Sequence, residues 1–160
     1  VFTVSQDTRK SKPSTGRIMG IDFGSKRIGI SISDPTLTIA QGLLVLENNP
    51  EFFDKVKDIC FKYDVKLIVV GLPISLSGRY SSKTNEVLKF VDKLKSKLKI
   101  DIVKWDERFT TKIAQRAKIE MNLKKKKRKE KIFDDIISAT LILQSYLDFL
   151  KNKEKFDGVE

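Results

Sequence analysis

The chain has 160 residues, with 32 Lys and Arg against 21 Asp and Glu, one cysteine and no histidine. The lack of histidine excludes Ser-His-Asp and Cys-His nucleophile systems, histidine metal fingers and imidazole bases, while Cys60 alone builds neither an internal disulfide nor a thiolate metal site. Carboxylates, hydroxyls, Lys and Arg remain for catalysis, and a net charge of +11 points to a polyanionic partner, nucleic acid ahead of an anionic membrane surface.

The length suits one domain. Residues 1–16 are polar and rich in Ser, Thr and Lys, which reads as a flexible tail or the end of an organelle transit peptide. Arg17 to Phe23 is a short apolar run that ends in Gly24-Ser25, a strand followed by a turn. Ile28, Ile30 and Ile32 alternate with Gly29, Ser31 and Ser33, the period of a strand with one small-residue face. A third strand is expected over Thr38 to Leu46, with a bulge at Gly42. Pro50 opens a helix with Phe53, Val56, Ile59, Cys60 and Tyr63 on one face.

Val65 to Gly71 is apolar throughout, as expected of a strand covered by helices on both sides. A loop from Leu72 to Tyr80 leads to a helix with Val87, Val91, Leu94 and Leu98 on one face, then to a strand from Ile100 to Trp105. Thr110 or Thr111 is placed to cap a helix carrying Ile113, Ala114, Ala117 and Met121. The basic run Lys124–Lys129 follows, then a helix with Ile132, Ile136, Ala139, Leu143, Leu147 and Leu150 at helical spacing. Residues 151–160 read as a frayed tail, leaving 17–150 as the folded domain. The order βββαβαβαα predicts an α/β fold, a mixed five-stranded sheet with helices on both faces. No apolar stretch approaches the ~20 residues of a membrane span.

Three acidic positions stand at element ends. Asp22 closes a buried strand, where it either caps the adjacent turn or holds a ligand, since an unpaired carboxylate there is costly. Asp106-Glu107-Arg108 follows a strand directly; it reads as an ordinary helix start or as a site. Arg108 either forks a phosphate or pairs with Asp106. Asp134-Asp135 opens the last helix, where acids are commonplace. Scattered carboxylates of this kind suit two divalent metals that activate water against a phosphodiester.

Four segments, GIDFGSKRIGISISD, VVGLP with Ser77-Gly78, WDERFTT, and the basic run leading into DDIISATLILQSYL, occur in order. Together they resemble the YqgF (RuvX) family of RNase H-like nucleases, a group linked to Holliday junction resolution and to pre-16S rRNA processing, over about Gly16 to Leu150. The resemblance implies an RNase H-like fold and a nuclease that cleaves structured nucleic acid with Mg²⁺ or Mn²⁺. It implies Asp22, Glu107 and Asp135 as converging metal-ligand acids; the doubled acid leaves Asp134 as the alternative to Asp135. Lys26, Arg27, Arg108, Lys125, Lys126, Lys127 and Arg128 are the expected substrate contacts. Phe109 departs from the usual Leu, and VVGLP lacks the acid of the corresponding strand in RuvC-type resolvases, which weakens transfer of junction resolution.

The expected activity is therefore 5′-end processing of pre-16S rRNA, with junction resolution or non-catalytic nucleic-acid binding as alternatives. Three acids facing a phosphate backbone argue against a mere binder, because they repel it unless cations intervene. Asp-Phe-Gly-Ser also resembles the phosphate loop of actin-like ATPases and sugar kinases, but those close two lobes over nucleotide and this length supplies one. The expected partner is precursor rRNA or branched DNA, with no membrane, and the expected state a monomer or weak homodimer. The expected compartment is the cytoplasm, or a chloroplast or mitochondrion if residues 1–16 are a targeting remnant.

Overall fold

A computed structural model describes residues 15–110 and 128–157. The elements are β1 (Arg17–Asp22), β2 (Arg27–Ser33), β3 (Ala40–Glu47), α1 (Phe52–Lys62), β4 (Val65–Leu72), α2 (Ser82–Lys97), β5 (Asp101–Asp106), a 3-10 turn (Glu107–Phe109) and α3 (Arg128–Asp157). The expected helix through Ile113 and Met121, the residues Lys125, Lys126 and Lys127, and nearly all of the N-terminal stretch lie outside the described residues.

The sheet order is β3-β2-β1-β4-β5. β1, β2 and β3 pair antiparallel, and β4 and β5 add in parallel to β1, so the predicted mixed sheet forms. The bulge falls where expected, Ile30 facing Leu44 and Ser31 facing Gly42. The turn between β2 and β3 is closed by Asp34, whose carboxylate accepts the backbone N–H groups of Thr36, Thr38 and Ile39 at 2.8–3.1 Å and the Thr36 hydroxyl. Those donors hold the Asp34 carboxyl at a pKa of about 2, below the ordinary 3.8, the Ile39 N–H contributing most.

Strand alternation sorts the two faces. Met19, Ile21, Ile28, Ile30, Ile68, Val70 and Ile102 point to α1 and α2, where they meet Phe52, Val56, Val87, Phe90 and Leu94. Ile18, Leu67, Val69, Val103 and Trp105 point the other way, to Ile142, Leu143, Tyr146 and Leu147 of α3. α2 begins with a reciprocal cap in which Ser81 and Thr84 exchange side-chain and backbone bonds.

The α3 face of β2 carries Gly29, Ser31 and Ser33, the small side predicted from sequence. Two small hydroxyl side chains and the bare Gly29 there let the helix lie close on the sheet backbone. An added Cβ at Gly29 would stand 2.1 Å from the Asp135 carbonyl oxygen, and Ser31 Oγ donates to the Ala139 carbonyl at 2.7 Å. At the far edge, Trp105 is buried at 2% exposure and donates its indole N–H to Ser145 Oγ at 3.1 Å. Ser145 in turn donates to the Phe109 carbonyl at 3.1 Å.

α3 runs on to Asp157, which corrects the expectation of a tail from Lys151. Lys151, Asn152, Lys153, Glu154, Lys155 and Phe156 are all exposed. A helical segment with no buried side leaves no apolar period to read, while its Lys and Glu residues favour the helix. No helix among the described residues is long and apolar enough to cross a membrane.

Candidate active site

Strand parity also places the acids. Asp22 ends β1 on the α3 face, in the series of Ile18 and Gly20. Ladder pairing aligns Ile21 with Val70, and Gly71 with Trp105, so Asp22 stands level with Gly71 on the next strand. Glu107 continues the series of Val103 and Trp105 onto the same face, whereas Asp106 belongs to the opposite parity. Asp22 and Glu107 accordingly line one cleft of about 260 Å³, together with Lys83 of α2, Thr110, and Ser138 and Ile142 of α3.

Asp106 is the structural acid of the pair. It is 2% exposed; its Oδ1 accepts the Arg108 backbone N–H at 2.8 Å. Its Oδ2 accepts Arg108 Nε at 2.8 Å and Nη2 at 2.6 Å. Hydrogen bonding to Asp106, reinforced by its charge, raises the Arg108 pKa above its usual value. Of the two roles open to Arg108 in the sequence, the geometry takes the pairing with Asp106. This clamp turns the chain after β5 and delivers Glu107 to the cleft.

Gly71 supplies the room between the two acids. A Cβ there would lie 2.9 Å from Glu107 Oε1 and 2.5 Å from Ile142 Cδ1. Adjacent strands are spaced ~4.8 Å apart, so carboxylates from β1 and from the end of β5 reach over a β4 position with no side chain. Two hard oxygen donors beside such a gap fit a divalent cation of the Mg²⁺ or Mn²⁺ type.

Asp135 sits one strand away. Its backbone lies on Gly29, the ladder partner of Asp22, and its Oδ2 accepts from Arg27 Nε at 3.0 Å. Helical spacing puts Asp134 in the row of Ser138 and Leu141, and Asp135 in the row of Ala139 and Ile142. Among the described residues no three acids gather closely enough to hold a metal together. The acids expected to converge are thus two in the cleft and a third tied to an arginine beside it.

Lys26 is exposed at the end of the turn between β1 and β2, and Arg27 is half-buried and paired with Asp135. Arg128 is the first residue of α3. Thr110, expected from sequence only as a helix cap, also lines the cleft, and Lys83 and Ser138 join it there without having been candidate site residues. Lysines are too frequent for Lys83 to stand out, and only its place in the first turn of α2, after the Ser-rich loop, could have marked it.

A family model described as "RuvX: Holliday junction resolvase" matches residues 16–149. A Thermoanaerobacter pseudethanolicus protein named "Putative pre-16S rRNA nuclease" is 46% identical over 140 residues, covering 86% of this chain and 99% of that one. A Clostridium botulinum (strain Hall) protein of the same name is 45% identical over 136 residues, covering 84% and 98%. Among solved structures, Thermus thermophilus RuvC in complex with Holliday junction substrate superposes with a TM-score of 0.53 at 16% identity, covering 81% of this chain and 91% of that chain. The Fowlpox virus resolvase complex gives 0.51 at 14% identity, covering 84% and 98%. These two likenesses concern the fold, which is RNase H-like.

Proposed function

The chain belongs to the RuvX family, and from that premise we propose that it is a metal-dependent endonuclease acting on the 5′ end of pre-16S rRNA. The observation that carries the reading is the meeting of Asp22 and Glu107 in one cleft across the bare backbone of Gly71. Asp22 and Glu107 would hold Mg²⁺ or Mn²⁺, with Asp135 as the third acid, and the cation would supply Lewis acidity toward a phosphodiester.

The chain's own groups do the rest. Lys83 offsets phosphate charge at the cleft wall. Ser138 and Thr110 give hydroxyls that orient polar groups of the substrate. Asp106 and Arg108 fix the turn that bears Glu107. With no histidine in the chain, the proton released on attack passes to solvent, to phosphate or to a carboxylate. Lys26, Lys125, Lys126, Lys127 and Arg128 add contacts to the nucleic-acid backbone.

Junction resolution is the second reading, favoured by the description of the matching family. β4 carries no acid in VKLIVVGL, which favours the RNA reading over it. Incubating the protein with labelled precursor rRNA and with a four-way junction, in Mg²⁺, Mn²⁺ or EDTA, separates the two. Metal-dependent shortening of the precursor alone supports the first; cleavage of neither substrate overturns both.

A further inference from the structure

The cleft lies where β1, β4 and β5 end. Where β4 and β5 begin, a second concavity of about 540 Å³ is walled by Lys57, Lys66, Lys97 and Lys99 around Phe61. Phe61 is 91% exposed. The buried stripe of α1 is Phe52, Val56 and Cys60, so Phe61 falls one position off it and projects beside the core.

Charge at this face is one-sided. Asp64 is the acid in the wall, and its Oδ1 already pairs with Lys66 Nζ at 3.0 Å. Among the described residues Lys57, Lys97 and Lys99 have no carboxylate partner. Cys60 beneath them offers no nucleophile, since burial pushes its thiol up to about 12. The concavity is therefore built to bind rather than to react.

We propose that this face is a second nucleic-acid contact, at which an unpaired base stacks on Phe61 while Lys57, Lys97 and Lys99 hold phosphates of the same strand. The proposal rests on the reading of the chain as a nuclease, but not on the cleft acids. A ring beside separated cations matches a strand, which offers π-faces and an anionic backbone together; an acidic protein surface would use the lysines and leave the ring idle. β4 spans the distance from this face to the cleft in 8 residues. At ~3.3 Å per residue that separation is roughly 25 Å, so the segment bound here is an anchor and not the scissile one.

The test is fluorescence anisotropy in EDTA, on an Asp22→Asn background that removes cleavage, with labelled oligouridine of about ten nucleotides and an abasic strand of equal length. Phe61→Ala should weaken oligouridine binding about tenfold, Phe61→Trp should retain it, and the abasic strand should not distinguish them. Lys97→Gln with Lys99→Gln should lower the log-log salt slope by about 1.4. Since Phe61 is exposed, equal melting temperatures confirm that the variants are folded. Affinities of Phe61→Ala within about twofold of the parent on oligouridine overturn the proposal. So does polyglutamate that competes through the lysines and binds regardless of Phe61, the mark of an acidic protein partner. A parent that binds neither strand overturns this proposal, and the nuclease reading falls with it only where the wild type also leaves precursor rRNA uncut in Mg²⁺ and Mn²⁺. Precursor cleavage by the wild type, with binding indifferent to Phe61, overturns this one alone.

Discussion

Arg27 and Asp135, 108 residues apart in the chain, meet on the α3 face of the sheet in an ion pair of 3.0 Å. The arginine opens β2, the aspartate rides on α3, and the contact lies beside the strand that ends in Asp22. Side-chain exposures of 37% and 29% keep the pair half-solvated, so its coupling should be modest, about 1 kcal/mol. A double-mutant cycle of Arg27→Gln and Asp135→Asn in denaturant measures it. In metal-free protein the arginine neutralises Asp135, so Arg27→Gln should leave more uncompensated negative charge near the cleft. Mn²⁺ should then raise the melting temperature of Arg27→Gln more than that of wild type. Equal rises would show that the pair does not restrain Asp135.

Asp22→Asn keeps size and removes charge. Cleavage should fall by at least about 100-fold. Melting temperature without metal should stay level or rise, because neighbouring carboxylates repel one another when no cation separates them. Full cleavage by this variant sinks the metal-site assignment; a lower metal-free melting temperature would make Asp22 a structural cap.

Gly29→Ala puts a methyl into the Asp135 carbonyl, a backbone atom that cannot rotate aside. α3 must lift, at a cost of about 3 kcal/mol, equivalent to a drop in melting temperature of roughly 6–12 °C at this chain length. Urea unfolding of the variant tests this, with an unchanged midpoint as the contrary result.

Asp34 gives the fold a pH dependence of known sign. Its carboxyl titrates at about 2 in the folded chain and near 3.8 otherwise. Its contribution is therefore complete above about pH 4 and is lost as pH falls through about 2. Asp34→Ala should cost about 1 kcal/mol at neutral pH, allowing for the exposure of the turn. The gap between the two melting curves should close toward pH 2; a gap constant from pH 6 to pH 2 would refute the assignment.

The basic run is tested through salt. Replacing Lys125, Lys126, Lys127 and Arg128 with Gln should weaken binding of duplex RNA and DNA alike. It should also lower the salt slope by about 3–4 at ~0.9 per phosphate contact. Unchanged affinity at two salt concentrations would remove the run from the binding surface.

Alternation made most of the fold legible. The alternation of Ile28, Ile30 and Ile32 with Gly29, Ser31 and Ser33 identifies both faces of β2, and the apolar run from Val65 requires helices on both sides. The position of Asp22 stood out because a carboxylate at the end of an apolar strand needs a reason, and the cleft it lines is where that strand ends. Glu107 and Asp106 were not separable by composition, and strand parity with Trp105 divides them. The Arg27–Asp135 pair left no local trace, since its partners share no periodic segment. Lys83 was hidden among many lysines, and the last turns of α3 by the absence of a buried side.

Trp105 is the sole tryptophan of the chain, and it reports from a useful place. Its indole N–H is held by Ser145 of α3, its ring is packed edge-on against Tyr146 at 5.1 Å, and Glu107 lies two residues away. Emission wavelength and quenching of this one fluorophore therefore register whether α3 is seated on the sheet, with no label added. A red shift would signal helix release, and an unshifted spectrum in an inactive variant would locate its defect in chemistry instead of docking.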